Sequence, residues 1–259
     1  MTLPTPSLAA VMTPTLLSTL RNHPVLPQHS WYIIAASALT ILNRPDEMAK
    51  VYSFAIEHGS HGAEVAPSQE DRLAISRRIR EALIKTSAVG GLPKTINALL
   101  SLKQVTPAEL IDEPGSSPSP TGRLGDIHDV PSSEILERGR TFFDKIYGKI
   151  AKRVMGQMDR SGTEDLGLLA RLEYGHVLSN TRVLSPTETS FVLIAGLIPQ
   201  DVNPQLKGHL RGALNGGATV EQVRAVREVT LMISHATGMK RLAEDAVGGW
   251  GWRSEVANV

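Results

Sequence analysis

The sequence predicts an all-α protein, and three observations support this prediction. Apolar residues recur at helical spacing along most of the 259 residues. Aromatic residues make up only 4% of the chain, and alternating runs of β-branched residues, which are typical of strands, are scarce. The pattern predicts helices over about residues 6–21, 29–42, 46–58, 68–89, 92–103, 133–158, 162–179, 185–198, 203–216, 219–236 and 238–247.

Local signals support several of these helices in turn. Thr13 precedes Pro14, and proline suits the first turn of a helix. The apolar run from Trp31 to Leu42 predicts a buried helix, because it is shorter than the roughly 18 residues that a membrane-spanning helix needs. Gly216 and Gly217 predict the end of the helix over 203–216.

A change of composition predicts two helical lobes. Five prolines and three glycines lie between Thr106 and Ser133, which is unfavourable for a continuous helix. The predicted organisation is therefore a first lobe over 1–105, a linker or surface loop over 106–132 and a second lobe over 133–259.

The first lobe is interpreted as a degenerate copy of the second. Glu47–Gly59 aligns with Gln205–Gly217, and Arg80–Gly91 aligns with Arg227–Gly238. An extra loop around Ser60–Asp71 separates the two blocks of the first lobe. Such a long-period repeat predicts that one chain contains a built-in pseudo-dimer.

This alignment concentrates the chemistry in the second lobe. The first lobe has Val51 opposite His209, and Ser53 opposite Arg211. The first lobe is therefore expected to be a structural half without a polar centre.

The segment Gln205–Thr219 resembles the signature helix of the carboxymuconolactone decarboxylase and AhpD-like superfamily. Arg171–Leu178 resembles the helix that carries the acidic residue of this superfamily, and Thr219–Val229 follows in the same order. The resemblance covers roughly residues 135–246. It implies an AhpD-like helical bundle that assembles as a homo-oligomer, in which three chains replace the family's trimer of dimers.

Two departures from that family restrict the chemistry. Redox members carry Cys-x-x-Cys-x-x-x-His, whereas Val202 and Gln205 occupy the cysteine positions before His209, and the chain contains no cysteine. Thiol peroxidase activity is excluded, because a thiolate is its nucleophile. The family's Tyr-x-Gly-x-Pro turn is replaced by Ala236–Lys240, and the neighbouring His235 is a candidate substitute for its tyrosine.

The candidate catalytic residues are His209, Glu173 and His176. Glu173 and His176 share one face of a predicted helix. A carboxylate next to an imidazole raises the pKa of the imidazole and fixes its tautomer, which suits proton transfer near neutral pH. Accordingly, His209 is expected to be the general acid and base, with Glu173 orienting it.

Arg211 and His235 are the candidate substrate-binding residues, Arg211 as a carboxylate anchor. Two residues apart on a helix, His209 and Arg211 diverge by about 200°, so a bend or a second subunit is needed for both to face one pocket. The alternative for Arg211 is an ion pair with a surface acid.

These residues predict a cofactor-independent lyase or isomerase that acts on a small unsaturated carboxylic acid or lactone. The alternative is a non-catalytic ligand-binding or assembly protein on the same scaffold. No cofactor or metal is expected. A facial triad of Glu173, His176 and His209 is the alternative metal site, although Glu-x-x-His occurs often by chance.

The charge balance bears on partners and location. There are 27 basic and 26 acidic residues, interspersed, for a net charge of +1, so neither nucleic acid nor a membrane is an expected partner. A cytoplasmic location is expected. The alternative is a mitochondrial presequence in Met1–Pro27, which has one arginine and no acid.

Overall fold

Helices form most of the described chain, as the all-α prediction requires. This computed structural model describes residues 9–59, 65–112 and 119–259. The expected start of the first helix at residues 6–8 and residues 60–64 of the expected loop lie outside these ranges. The first half contains α1 (Pro14–Arg21), α2 (Trp31–Ile41), α3 (Met48–His58), α4 (Gln69–Gly90) and α5 (Leu92–Val105).

The second half begins with a short helix inside the expected linker, α6 (Arg123–Asp129). The elements that follow are α7 (Ser132–Tyr147), α8 (Ala151–Met158), α9 (Asp165–Leu172), a π-helix (Glu173–Leu178), α10 (Pro186–Leu197), α11 (Asn203–Asn215), α12 (Val220–Ala236), β1 (Lys240–Arg241) and β2 (Gly251–Trp252). Two of these helices, α10 and α12, begin with capping boxes, in which Ser185 and Thr219 precede a polar residue three positions later.

Helices α2 and α10 form the centre of the molecule. Every residue of α2 is buried, and so is α10 from Thr189 to Leu197. The buried hydroxyls of Ser37 and Thr40 donate to carbonyls one turn earlier, at 2.7 and 2.8 Å, which removes the penalty of burying them unpaired. The two apolar helices therefore need no contact with water.

Both halves share one core. Helix α2 packs against α4, α10 and α12, and α10 packs in turn against α4 and α11. Close approach is possible at Gly196 of α10, where a Cβ atom would lie 2.8 Å from the Cγ2 atom of Val89. Across the same contact, Arg78 of α4 pairs with Glu188 and donates to the hydroxyl of Tyr32 at 2.9 Å. Thus α4 of the first half packs on α10 of the second, and α12 of the second half packs on α2 of the first.

Three predicted boundaries are wrong for identifiable reasons. The helix expected over 133–158 breaks at Gly148, whose φ of +52° ends α7. The helix expected over 162–179 continues as a π-helix after Leu172. No helix forms over 238–247. Instead, β1 pairs in parallel with β2, and the buried Trp252 donates to the carbonyl of Ile198 at 2.7 Å.

Within the described ranges, no helix is both long and apolar enough to cross a membrane. The run from Trp31 to Leu42 is accordingly part of the buried centre.

Candidate functional site

The π-helix is held at its carbonyl end by cations from three other helices. A π-helix pairs each amide with the carbonyl five residues earlier, as Ser179 does with Tyr174 at 2.9 Å, and leaves the last carbonyls without partners. These carbonyls accept hydrogen bonds from side chains instead: Gly175 from Arg138 at 3.2 Å, His176 and Val177 from Arg123 at 2.9 and 3.0 Å, and Leu178 and Asn180 from Lys85 at 2.7 and 2.8 Å.

Buried acids compensate these cations. Arg123 binds both carboxylate oxygens of the buried Glu81, at 2.8 and 2.6 Å, and Lys85 lies 3.6 Å from the same carboxylate. Arg138 pairs with Asp126 of α6 at 3.0 Å. Burial lowers the pKa of Lys85 from 10.5 to about 8, although the charge of Glu81 opposes that shift. This network fixes the position of the π-helix against α4, α6 and α7.

The π-helix also approaches α7 more closely than side chains would allow. At Gly139 of α7 an added Cβ atom would lie 2.5 Å from the backbone nitrogen of Gly175. Tyr174 then packs its ring edge-on against Phe143, with 4.8 Å between centroids. Its hydroxyl lies 3.5 Å from that of Tyr147, a long contact. The π-helix therefore presents a tyrosine, rather than Glu173, to the end of α7.

His209 lies on α11, buried beside Tyr147. Its Nε2 atom is 3.5 Å from the Tyr147 hydroxyl, and the two rings meet at 69°. Its Nδ1 atom has no hydrogen-bond partner among the described residues. Burial lowers the pKa of His209 to about 4, so its imidazole is neutral at pH 7. The expectation of a raised pKa is wrong, because no carboxylate reaches the ring to offset its desolvation.

Glu173 is half-buried, and its Oε2 atom has no hydrogen-bond partner in the described chain. Burial raises the pKa of this carboxyl group above its usual range. Arg171 and Arg182 pair with other acids, Arg171 with Asp159 at 2.6 Å and Arg182 with Asp126 at 3.0 Å. The expected pair of Glu173 and His209 is thus replaced by a pair of Tyr147 and His209.

A surface groove of about 690 Å³ lies between α11 and the connection from α7 to α8. We call it the basic groove, because four cations line it, Lys145, Lys149, Lys207 and Arg211, and its lining contains no acid. Tyr147 also lines it, whereas His209 does not. Arg211 is exposed and His209 buried, as their spacing predicts, so Tyr147 is the residue that touches both the groove and the imidazole.

Two glycines of the motif in α11 allow this arrangement. A Cβ atom at Gly208 would lie 3.0 Å from the Tyr147 ring, and one at Gly212 would lie 2.5 Å from the side chain of Ile146. Asn215 secures the same contact, donating to the carbonyl of Ile146 at 2.9 Å. The glycines that carried the family resemblance therefore serve close packing of α7 on α11.

The remaining predicted site residues lie elsewhere. His235 ends α12, where its Nδ1 atom is 3.0 Å from the Met239 carbonyl and its ring packs on Trp252. The carbonyl of His176 accepts a hydrogen bond from Arg123, and the His176 side chain has no hydrogen-bond partner in the described part of the chain. Neither histidine lines the basic groove. The described residues contain no group of three His, Asp or Glu side chains that could hold a metal, so the alternative facial triad is not formed.

Two fungal proteins are similar to this chain over most of its length. Peroxisomal protein 2 of Schizosaccharomyces pombe is 40% identical over 209 residues, which are 81% of this chain and 87% of that protein. Peroxisomal protein 2 of Saccharomyces cerevisiae is 32% identical over an alignment of 260 positions, covering 84% of this chain and 91% of that protein. The chain belongs to the Peroxisomal protein 2 family. No family model matches it.

The sequence did not identify Tyr147 or the lysines of the basic groove as site residues. Tyr147 ends a helix 62 residues before His209, and nothing local in the sequence connects the two. One signal was present. Lys207 and Arg211 are four residues apart, and such spacing puts like charges on one helical face.

Proposed function

We propose that this protein binds a small organic carboxylate in the basic groove. The observation that carries the proposal is that Arg211 lines the same groove as Tyr147 and has no ion-pair or hydrogen-bond partner among the described residues. A guanidinium binds a carboxylate through two parallel hydrogen bonds, and a phenol adds a directed donor. The volume of about 690 Å³ is that of a small-molecule site.

The proposal is tested by replacing Arg211 with Gln and measuring carboxylate binding by calorimetry. Loss of one charged hydrogen-bonding partner should weaken binding by about tenfold or more. Arg153→Gln is the matched control, because Arg153 is an exposed arginine on α8 that does not line the groove. Equal affinity in the two variants would place the carboxylate elsewhere.

A second candidate function is the lyase or isomerase reaction on an unsaturated carboxylic acid or lactone, and the contact between Tyr147 and His209 favours it. In this version Tyr147 takes the role first assigned to Glu173. Its hydroxyl protonates the carbanion that remains when the substrate loses carbon dioxide. The neutral imidazole of His209 then passes its Nε2 proton to the phenolate as its Nδ1 atom takes a proton from water, so that the ring ends neutral. The unpaired Nδ1 atom of His209 is consistent with a buried group kept for chemistry, since an unsatisfied buried atom costs about 1–3 kcal/mol.

Turnover of a carboxylate found by the binding assay separates the two candidates. If His209 moves a proton, His209→Gln should lower turnover by roughly 100-fold to 10,000-fold and keep the helix content. Tyr147→Phe should do the same, whereas Glu173→Gln should have a smaller effect because Glu173 contacts neither group. Tight binding without any turnover in the unmodified protein supports the non-catalytic function.

The proposed location is the peroxisome, in place of the cytoplasm expected from the sequence. It is supported by the word "Peroxisomal" in the names of both relatives. Co-localisation of a fluorescent fusion with a peroxisomal marker in yeast tests this. A diffuse signal, in cells where a known peroxisomal protein is imported, would favour the cytoplasm.

The proposed assembly is a homo-oligomer of three chains. Its support is an apolar stripe on the outer side of α5, where Leu92, Ile96 and Leu100 are 66%, 52% and 57% exposed. These residues are four apart and so share one face. Light scattering should give the mass of three chains, and Ile96→Glu should reduce it. A monomer would rule out this assembly.

A further inference from the structure

We infer that the ligand of the basic groove is a small polyanion, with two or more negatively charged groups, rather than a monocarboxylate. The inference rests on the proposed function in that it assigns a ligand class to the same groove. It follows from the number, arrangement and isolation of the cations that line this surface.

The cations form two pairs on opposite walls. Lys207 and Arg211 are one helical turn apart on α11, and both line the groove. Lys145 near the end of α7 and Lys149 in the turn after it line the other wall. Lys207 and Arg211 are like charges one turn apart and repel each other, so their wall is electrostatically unfavourable in the absence of an anion. One carboxylate on Arg211 would leave the other wall uncompensated.

These four cations differ from most others in the protein. None of them forms an ion pair or a hydrogen bond among the described residues, whereas nearby Arg140 binds Glu137 and Asp144, and Arg171 binds Asp159. All four side chains are exposed and free to adjust to a ligand. Three amide side chains, Gln157, Gln205 and Asn215, complete the polar lining. They can both donate and accept, so they suit anions that also carry hydroxyl groups.

The net charge of the protein gives this groove its selectivity. With a formal charge of +1 overall, the chain has no broad field that would attract large polyanions. The four cations line one groove of about 690 Å³, which admits a compact molecule. The geometry therefore points to a metabolite with closely spaced anionic groups, either a di- or tricarboxylate or a phosphate ester.

The test compares small aliphatic carboxylates of increasing charge at constant ionic strength. The probes are propionate, succinate and propane-1,2,3-tricarboxylate, with pyrophosphate as the phosphate arm, each measured by calorimetry. The tricarboxylate should bind about tenfold more tightly than propionate, because two further exposed charge pairs of usual strength give about that ratio. The advantage should decline as salt is added.

Variants on the two walls locate the effect. Lys207→Gln and Lys149→Gln should each weaken binding of the tricarboxylate more than binding of propionate. Lys152→Gln is the control, since Lys152 is an exposed lysine of α8 outside the groove. Circular dichroism verifies that each variant is folded, and the two walls provide independent variants.

The outcomes separate this inference from the proposed function. Equal affinity for propionate and the tricarboxylate would overturn the inference and leave the carboxylate site intact. Binding of pyrophosphate alone would support a polyanion site and contradict a carboxylate ligand. Absence of binding by all four probes would overturn both.

Discussion

The two halves of the molecule place different residues on α3 and α11, the helices whose sequences are interpreted as copies of each other. In α3 the position opposite His209 is Val51, which is fully buried and apolar. The neighbouring buried polar group, the hydroxyl of Tyr52, is satisfied by Ser76 at 2.8 Å. In α11, by contrast, the buried His209 leaves Nδ1 unpaired. A buried apolar residue is therefore compatible with this position of the helix, and the buried polar residue His209 is a property of the second half.

The same two helices differ in what packs on them. Gly208 and Gly212 of α11 align with Lys50 and Phe54 of α3. Lys50 binds Glu47 at 2.9 Å, and Phe54 stacks on His58 with 4.2 Å between centroids. Neither residue would leave room for a helix at the distance of α7. The close packing of α7 on α11, and therefore the basic groove, depends on Gly208 and Gly212.

The largest expected effect comes from breaking the link between the halves. Lys85 lies on α4 in the first half and binds the π-helix carbonyls of the second. We expect Lys85→Ala to lower the free energy of unfolding by about 3–5 kcal/mol, because it leaves buried carbonyls and part of the Glu81 charge unpaired. Urea denaturation measures this, with Lys152→Ala as the exposed control. A loss below about 1 kcal/mol would mean that the network does not hold the π-helix.

The pH dependence of stability should reveal the polar centre directly. The pKa of His209 is about 4 in the folded protein and 6.5 ordinarily. Between these values the unfolded chain binds a proton that the folded chain does not, so stability falls as the pH falls from 6.5 to 4. The total contribution is on the order of 3 kcal/mol.

Denaturation of the wild type and His209→Leu across this range isolates that contribution from other titrating groups. The variant should lose less stability on acidification than the wild type. Parallel curves for the two proteins would show that His209 gains a proton with its ordinary pKa.

Substitutions at Val51 and His209 test whether each half is stable with the type of residue, apolar or polar, that the other half has at this position. Val51→His should cost about 1–3 kcal/mol, because it buries an imidazole among apolar neighbours. His209→Leu should leave stability within about 1 kcal/mol of the wild type, since it removes an unsatisfied group of similar size. Thermal denaturation at pH 7 compares them. A greater loss for His209→Leu would indicate a structural role for the imidazole.

The last prediction, a modest destabilisation, concerns the packing of α7 on α11. Gly208→Ala should destabilise the protein by about 1–2 kcal/mol, because the added methyl group displaces the Tyr147 ring. Gly156→Ala on α8 is the control. There the methyl group meets only the flexible end of Arg160, and the better helix propensity of alanine should stabilise the protein by up to about 1 kcal/mol. Equal shifts in melting temperature for Gly208→Ala and Gly156→Ala would show that Gly208 is not needed for the packing of α7 on α11.

The sequence by itself determined the helical class and most helix positions. Periodicity and local caps are properties of neighbouring residues, so the run from Trp31 to Leu42 and the cap at Thr13 were interpretable without any tertiary contact. The same local pattern identified His209 and Arg211 as residues on different faces of one helix. It could not identify their partners.

Only the tertiary structure decided what those residues contact. The π-helix at Glu173 forms because cations from α4, α6 and α7 satisfy its free carbonyls. It directs Tyr174 towards Tyr147 and leaves Glu173 away from the imidazole. Likewise, the groove exists where the turn after α7 meets α11, two segments about 60 residues apart. Helical periodicity specifies which face of each helix is buried. Which buried faces meet depends on packing between distant segments, and that packing determines the chemistry of the site.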